Sequence, residues 1–245
     1  MRKIMALSML ALTAVGASHA FGDQTDTNIA LAELKKQLPK LSAPKLSTTV
    51  IPGLYQIVAG DKIFYWSPNG YLVLGEIWNV KEGKSITSEQ MEIVRADRDK
   101  ELAPKIASLP LEKAVKVGNG KNTVIVFSDP DCPYCRRVDE FLAKRDDVTR
   151  YVFLFPLKMH KDAEAKSAFI MSQKDKAAAL LDVLKGDYDN KPVPSFDKDM
   201  LTLVRENVTI GESLGITGTP VVIVNGTIVR GADLNRIKSL LESRT

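Results

Sequence analysis

The sequence predicts an α+β protein in three parts: a small helix-plus-β-meander unit, a charged linker helix, and an α/β sandwich around one small sheet. Three observations predict this. Residues 54–80, "LYQIVAGDKIFYWSPNGYLVLGEIWNV", hold three runs of β-branched and aromatic residues, divided at Gly60-Asp61 and at Pro68-Asn69-Gly70. Residues 86–106, "ITSEQMEIVRADRDKELAPKI", are dominated by charge. From Thr123 onward, short apolar strands alternate with helical patterns.

The chain opens on "MRKIMALSMLALTAVGASHA", with Arg2 and Lys3 ahead of an apolar run from Ile4 to Val15 and Ser18-His19-Ala20 at its end. That is the order of a cleavable export signal, and the run is too short for a spanning helix. The mature chain is expected to start at Phe21 and to be soluble and exported. Removing Arg2 and Lys3 takes the formal charge from +4 to +2. A balance so near neutral argues against nucleic acid as a partner. Lys35, Lys36, Lys40 and Lys45 read as a solvated face.

In the first unit, "NIALAELKKQLP" places Ile29, Leu31, Leu34 and Leu38 near one helical face and stops at Pro39. The unit ends near residue 83. It buries a thin core and calls for a partner surface. Trp66 and Trp78 read as packing residues. The linker is placed at 84–110, with Thr87 and Gln90 as a capping box and Pro104 ending or kinking the helix. Its weak amphipathicity suits a helix that bridges domains through solvent.

In the last unit, 111–245, "TVIVF" and "RYVFLFPL" read as buried strands flanking the helical "PYCRRVDEFLAK". Three helical segments follow, interrupted by the loop "DYDNKPVPSF". Then come a hairpin turning at Asn225-Gly226 and a final helix from Asp233.

The chain has two cysteines, Cys132 and Cys135, in "FSDPDCPYCRRVDEF". They sit where a buried strand ends and a helix begins. Pro133 suits the first helical turn, where its missing N–H costs nothing. Cys132 then stands among free backbone N–H groups at the positive end of the helix dipole, a setting that favours a thiolate nucleophile. Cys135 lies one turn inward as a resolving thiol. Arg136 and Arg137 add positive potential or are simply solvated.

A structural staple of this loop length gains only about 2 kcal/mol. A metal site fails on ligand count, since one C-x-x-C supplies two ligands and His160 is the sole histidine of the mature chain. A two-thiolate carrier of a soft metal is the remaining metal reading. His160 itself reads as a surface or helix-start residue. No cofactor is expected. Thiol–disulfide chemistry is the reading that fits spacing and context together.

"TGTP" puts Thr219-Pro220 just before the strand "VVIV". The order C-x-x-C, helical insertion, Thr-Pro, hairpin, terminal helix resembles the thioredoxin fold. With the small N-terminal unit and linker, the mature chain resembles the DsbC/DsbG family of periplasmic thiol:disulfide isomerases. The resemblance implies a cis Pro220 facing Cys132, and substrate pairing with the backbone of Thr219. It also implies a homodimer formed through the N-terminal unit, misoxidised exported proteins as substrates, and a membrane reductase of the DsbD type. Cys132-Pro133-Tyr134-Cys135 is closer to the DsbG branch, linked to protecting single cysteines from over-oxidation. A chaperone, a sulfenic-acid reductase and a DsbA-type oxidase are the alternatives.

Two departures stand out. Many DsbC-type isomerases have a second, structural disulfide, and this chain lacks the cysteines for one. Thioredoxins keep a buried acid six residues before the first cysteine, where this chain has Val126. Asp129 and Asp131 are nearer, and loop solvation explains them as well as a catalytic role does.

Overall fold

The computed structural model describes residues 24–41, 44–60 and 62–243. Residues 1–23, on which the expected export signal falls, residues 42 and 43, Asp61 and the last two residues lie outside the described residues. Two compact units divide between Arg95 and Ala96.

The first unit opens with α1 (Gln24–Gln37). Its core-facing residues are Ala30 and Leu34, with Leu31 and Leu38 packed at the side. Ile29 is exposed instead of sharing that face. It lies five residues, about 140° around the helix, from Leu34. A four-stranded antiparallel meander follows in the order β1-β2-β3-β4. Its strands are β1 (Lys45–Thr48), β2 (Tyr55–Ala59), β3 (Lys62–Ser67) and β4 (Tyr71–Val73). Sequence patterning predicts three of these strands and misses β1, whose short "KLST" carries no apolar alternation.

Trp66 is buried between α1 and the sheet, and its indole N–H donates to Gln37 at 3.0 Å. Trp78 does not pack in the same way. It is exposed, on a two-strand ribbon of β5 (Trp78–Asn79) and β6 (Lys84–Ser85).

Helix α2 runs from Ile86 to Ala107. Its cap is Ser85, whose hydroxyl accepts the N–H of Ser88. Thr87, the expected cap, is buried and serves tertiary structure: its hydroxyl bonds Tyr65 and accepts the Ile77 N–H. Pro104 neither ends the helix nor sits in a core. On the exposed face, the carbonyl one turn back can be hydrated when proline offers it no donor. The helix is also less solvated than its charge suggests. Met91 packs with Ile63 and Tyr65 in the first unit, and Leu102 and Ile106 pack in the core of the second.

The second unit is a five-stranded sheet in the order β11-β10-β8-β9-β7. After a 3-10 turn at Leu111–Lys113 come β7 (Val115–Val117), β8 (Asn122–Ser128), α3 (Pro133–Ala143) and β9 (Val148–Leu154). β8 and β9 are parallel, with Phe127 opposite Phe153, so α3 is their crossover. The insertion is α4 (Ala163–Ser172), α5 (Lys176–Lys185) and α6 (Met200–Ser213). The chain closes with β10 (Val221–Val224), β11 (Thr227–Arg230) and α7 (Leu234–Glu242). The β10–β11 turn uses Asn225 and Gly226, both at positive φ, as the Asn-Gly pair predicts. Asp233 caps α7 through the Arg236 N–H at 2.9 Å.

The central strands β8, β9 and β10 are buried on both faces. Val124, Val126, Val152 and Leu154 face one apolar cluster, while Ile125, Phe127, Phe153 and Phe155 face the other. Gly211 of α6 is needed for this packing, because a Cβ there would stand 2.6 Å from the Phe155 ring. Among the described residues no helix is long and apolar enough to cross a membrane.

Candidate active site

β8 ends at Ser128, the chain turns through Asp129-Pro130-Asp131, and α3 begins at Pro133. Cys132 is the residue before the helix, with extended backbone, and its carbonyl accepts the N–H groups of Cys135 and Arg136 at 3.1 and 3.2 Å. Both thiols are free. Cys132 is 4% exposed and its sulfur donates to the carbonyl of Thr219 at 3.7 Å. The Thr219-Pro220 peptide is cis. Cys132, Pro133, Tyr134, Cys135, Thr219 and Pro220 are thus gathered at one point, where the α3 N-terminus meets the start of β10. Tyr134 is 56% exposed beside them.

Cys135 is deeper, and burial pushes its thiol up to about 12. The Asp129 backbone N–H donates to its sulfur at 3.3 Å and works in the opposite direction.

The acids before the cysteines are structural anchors, which corrects the loop-solvation expectation. Asp129 is fully buried. One carboxylate oxygen accepts the Asp131 N–H at 2.7 Å. The other accepts the Leu157 N–H at 2.6 Å and meets His160 Nδ1 at 2.9 Å. His160 does precede α4, as expected, and it also contributes to this anchor.

Asp131 pairs with Lys166 of α4 at 2.5 Å, and Lys166 reaches Asp189 at 3.2 Å. Asp189 in turn takes both terminal nitrogens of Arg136, at 2.5 and 2.7 Å. Arg136 also donates to the carbonyl of Pro130. Arg136 is therefore a clamp on the cysteine loop, while Arg137 stays exposed. Burial disfavours the Lys166 ammonium, but its bonds to Asp131 and Asp189 outweigh that and hold its pKa above the ordinary value.

Sequence reasoning missed Lys166 and Asp189. The available signal was the pair of acids flanking Pro130 beside Cys132, which calls for cations from elsewhere in the chain. Among the described residues no three of His, Cys, Asp and Glu gather as a metal shell.

Residues 109–241 match the family model described as a thioredoxin-like domain. The chain belongs to that family. Residues 19–88 match a second model, the disulfide bond isomerase protein N-terminal domain. Both parts of the DsbC/DsbG resemblance are therefore found, in the order read from the sequence.

A probable thiol:disulfide interchange protein DsbC of Bordetella avium is 30% identical over 173 residues, covering 69% of this chain and 57% of that protein. The thiol:disulfide interchange protein DsbC of Escherichia coli (strain K12) is 25% identical, covering 82% of each. The DsbG protein of Pseudomonas aeruginosa is 28% identical, covering 64% of this chain and 63% of that protein. The chain spans about three-fifths of the length of the Bordetella relatives it matches. Among solved structures, a disulfide interchange protein from Neisseria gonorrhoeae is 32% identical, covering 55% of this chain and 97% of that one, with a TM-score of 0.47.

Proposed function

We propose that the chain is a periplasmic thiol:disulfide interchange protein that isomerises or reduces incorrect disulfides in exported proteins. The observation that carries this is the placement of Cys132 at the start of α3, against the Thr219 carbonyl, with Cys135 one turn behind. We propose the domain division read from the sequence: signal 1–20, dimerisation unit 21–83, linker 84–110 and catalytic unit 111–245.

As thiolate, Cys132 attacks one sulfur of a substrate disulfide. The new S–S bond forms at Cys132, the substrate bond breaks, and one substrate thiolate leaves. If another substrate thiolate then attacks the mixed disulfide, Cys132 is released and the substrate is isomerised without net electron transfer. If Cys135 attacks first, the substrate leaves as a dithiol and Cys132-Cys135 becomes a disulfide. A membrane dithiol donor of the DsbD type then restores the thiols. The substrate chain pairs with the backbone at Thr219, and Pro133 and the exposed Tyr134 border it.

A homodimer is supported by β4, an edge strand of the first sheet with Tyr71, Leu72 and Val73 exposed. The same apolar surface, extended by Leu74, Trp78 and Val80, favours a second reading in which a chaperone activity accompanies or replaces the redox one.

The deciding experiment is recovery of activity from a scrambled disulfide-bonded substrate. Wild type should restore it in redox buffer and Cys132→Ser should not. Retained turnover in Cys132→Ser would end the interchange reading. Suppressed aggregation without both cysteines would establish the chaperone reading.

A further inference from the structure

A thiol held near 12 must lose its proton before it can attack, and Val126 occupies the place where thioredoxins keep the acid that could help. The acids on the cysteine loop, Asp129 and Asp131, do not line the pocket beside Cys135. The Asp129 carboxylate is bound to Leu157, Asp131 and His160, and Asp131 is bound to Lys166.

A small pocket opens on the other side of Cys135. It is lined by Cys135, Val126 and Ser128 and, further along, by Asp139 and Arg150. Asp139 is four residues after Cys135 on α3, so both side chains lie on one helical face. The pocket has room for about one water molecule, and its mainly apolar lining is broken by Ser128, Cys135, Asp139 and Arg150. The Asp139 side chain is 15% exposed, whereas Cys135 is almost wholly enclosed. The pocket thus connects a buried thiol to an acid with access to solvent.

We propose that Asp139 takes the Cys135 proton when Cys135 resolves a mixed disulfide, receiving it through a water molecule held in this pocket. The proposal rests on the interchange reading. The Cys135 S–H bond breaks, its proton passes to the water, and the water passes one to the Asp139 carboxylate. The electron pair left on Cys135 forms the bond to the Cys132 sulfur. The Cys132–substrate bond breaks, and the substrate thiolate leaves with that pair. Asp139 then returns the proton to solvent.

Three charged or titratable groups face Asp139: Cys135 from its own helix, Arg150 from β9, and Lys185 from the end of α5. Arg150 pairs with it directly and fixes the carboxylate. Burial pushes the Asp139 carboxyl above its ordinary value against the pull of Arg150 and Lys185, which makes it a better proton acceptor.

The test is stopped-flow reaction of the reduced full-length chain with dithiobis-nitrobenzoate. The first aromatic thiolate released reports attack by Cys132, and the second reports resolution by Cys135. Asp139→Asn should keep the first release and slow the second about 100-fold at neutral pH, the low end of general-base catalysis. Its second release should climb about tenfold per pH unit, following the thiolate fraction.

Arg150→Gln keeps the acid and removes its counter-charge, so the pH midpoint of the second release should move upward. That shift decides the matter if Asp139→Asn does not fold. A normal second release in Asp139→Asn, or slowing in both variants with an unmoved pH profile, overturns the proposal. A wild-type chain with no first release overturns the interchange reading itself and takes this proposal with it.

Discussion

The backbone N–H of Asp129 donates to the Cys135 sulfur across 3.3 Å, while the Asp129 carboxylate, fully buried, holds the Leu157 N–H at 2.6 Å. One residue thereby fixes the inner thiol against the segment that leaves β9. The position of the cysteine loop depends on this anchor as much as on the helix that follows it.

Removing the anchor should be costly. Asp129→Ala leaves the part-buried Leu157 and Asp131 N–H groups without their acceptor, and His160 without its partner. Hydrogen bonds to a buried charge are worth about 1.5–3 kcal/mol each but are not additive. We expect a loss of about 3 kcal/mol in urea unfolding of the reduced chain. An unchanged midpoint would show that the carboxylate is not holding the loop.

The two thiols should differ sharply in reactivity. With its pKa at about 12, Cys135 is almost entirely protonated at neutral pH. Brief treatment of the reduced chain with limiting iodoacetamide should alkylate Cys132 and spare Cys135, read by peptide mass spectrometry. Equal labelling would contradict the burial of Cys135 in the working protein.

Much of this site was legible in the sequence, for local reasons. Pro133 after Cys132, the Asn225-Gly226 turn and the Asp233 cap each act within a few residues, so their chemistry is visible in order along the chain. Lys166 was not legible, because a lysine on a helix ordinarily belongs to the solvated face. Its burial makes sense only once Asp131 and Asp189 stand beside it, from positions 35 and 23 residues away. Asp129 was misread for the same reason, since its donors come from Leu157 and His160. Thr87 fits a capping pattern, yet the same hydroxyl was taken by Tyr65 and Ile77. Tertiary partners won wherever one side chain could satisfy either a local or a distant need.

The charge cluster gives a pH signature. The bond to Arg136, supported by Lys166, holds the Asp189 carboxyl well below its ordinary value, at about 2. A depressed carboxylate stabilises the fold above its unfolded value and loses that contribution as pH falls toward about 2. Asp189→Asn should therefore be less stable than wild type at pH 5, with the gap closing as pH falls from about 4 to about 2. Asp189 is partly exposed, so solvent screening keeps the effect modest. A gap that stays constant with pH would place the stabilisation in packing instead of charge.

The last prediction concerns the exposed edge of the first sheet. β4 pairs with β3 on one side, Trp66 opposite Leu72 and Tyr65 opposite Val73, and has no strand beyond it among the described residues. Tyr71, Leu72, Val73 and Leu74 are all exposed there. Edge strands of monomers are usually blunted by charge or proline, and this one carries neither. The simplest occupant is β4 of a second copy, which would pair the edges and cover the apolar side chains together. Tyr71→Lys with Leu74→Lys should then convert a dimer to monomers in sedimentation velocity. Both positions lie outside the buried core, so the far-ultraviolet circular dichroism and the first thiol-release phase should be preserved. A wild-type chain that already sediments as a monomer would show that this edge is not covered by a second copy.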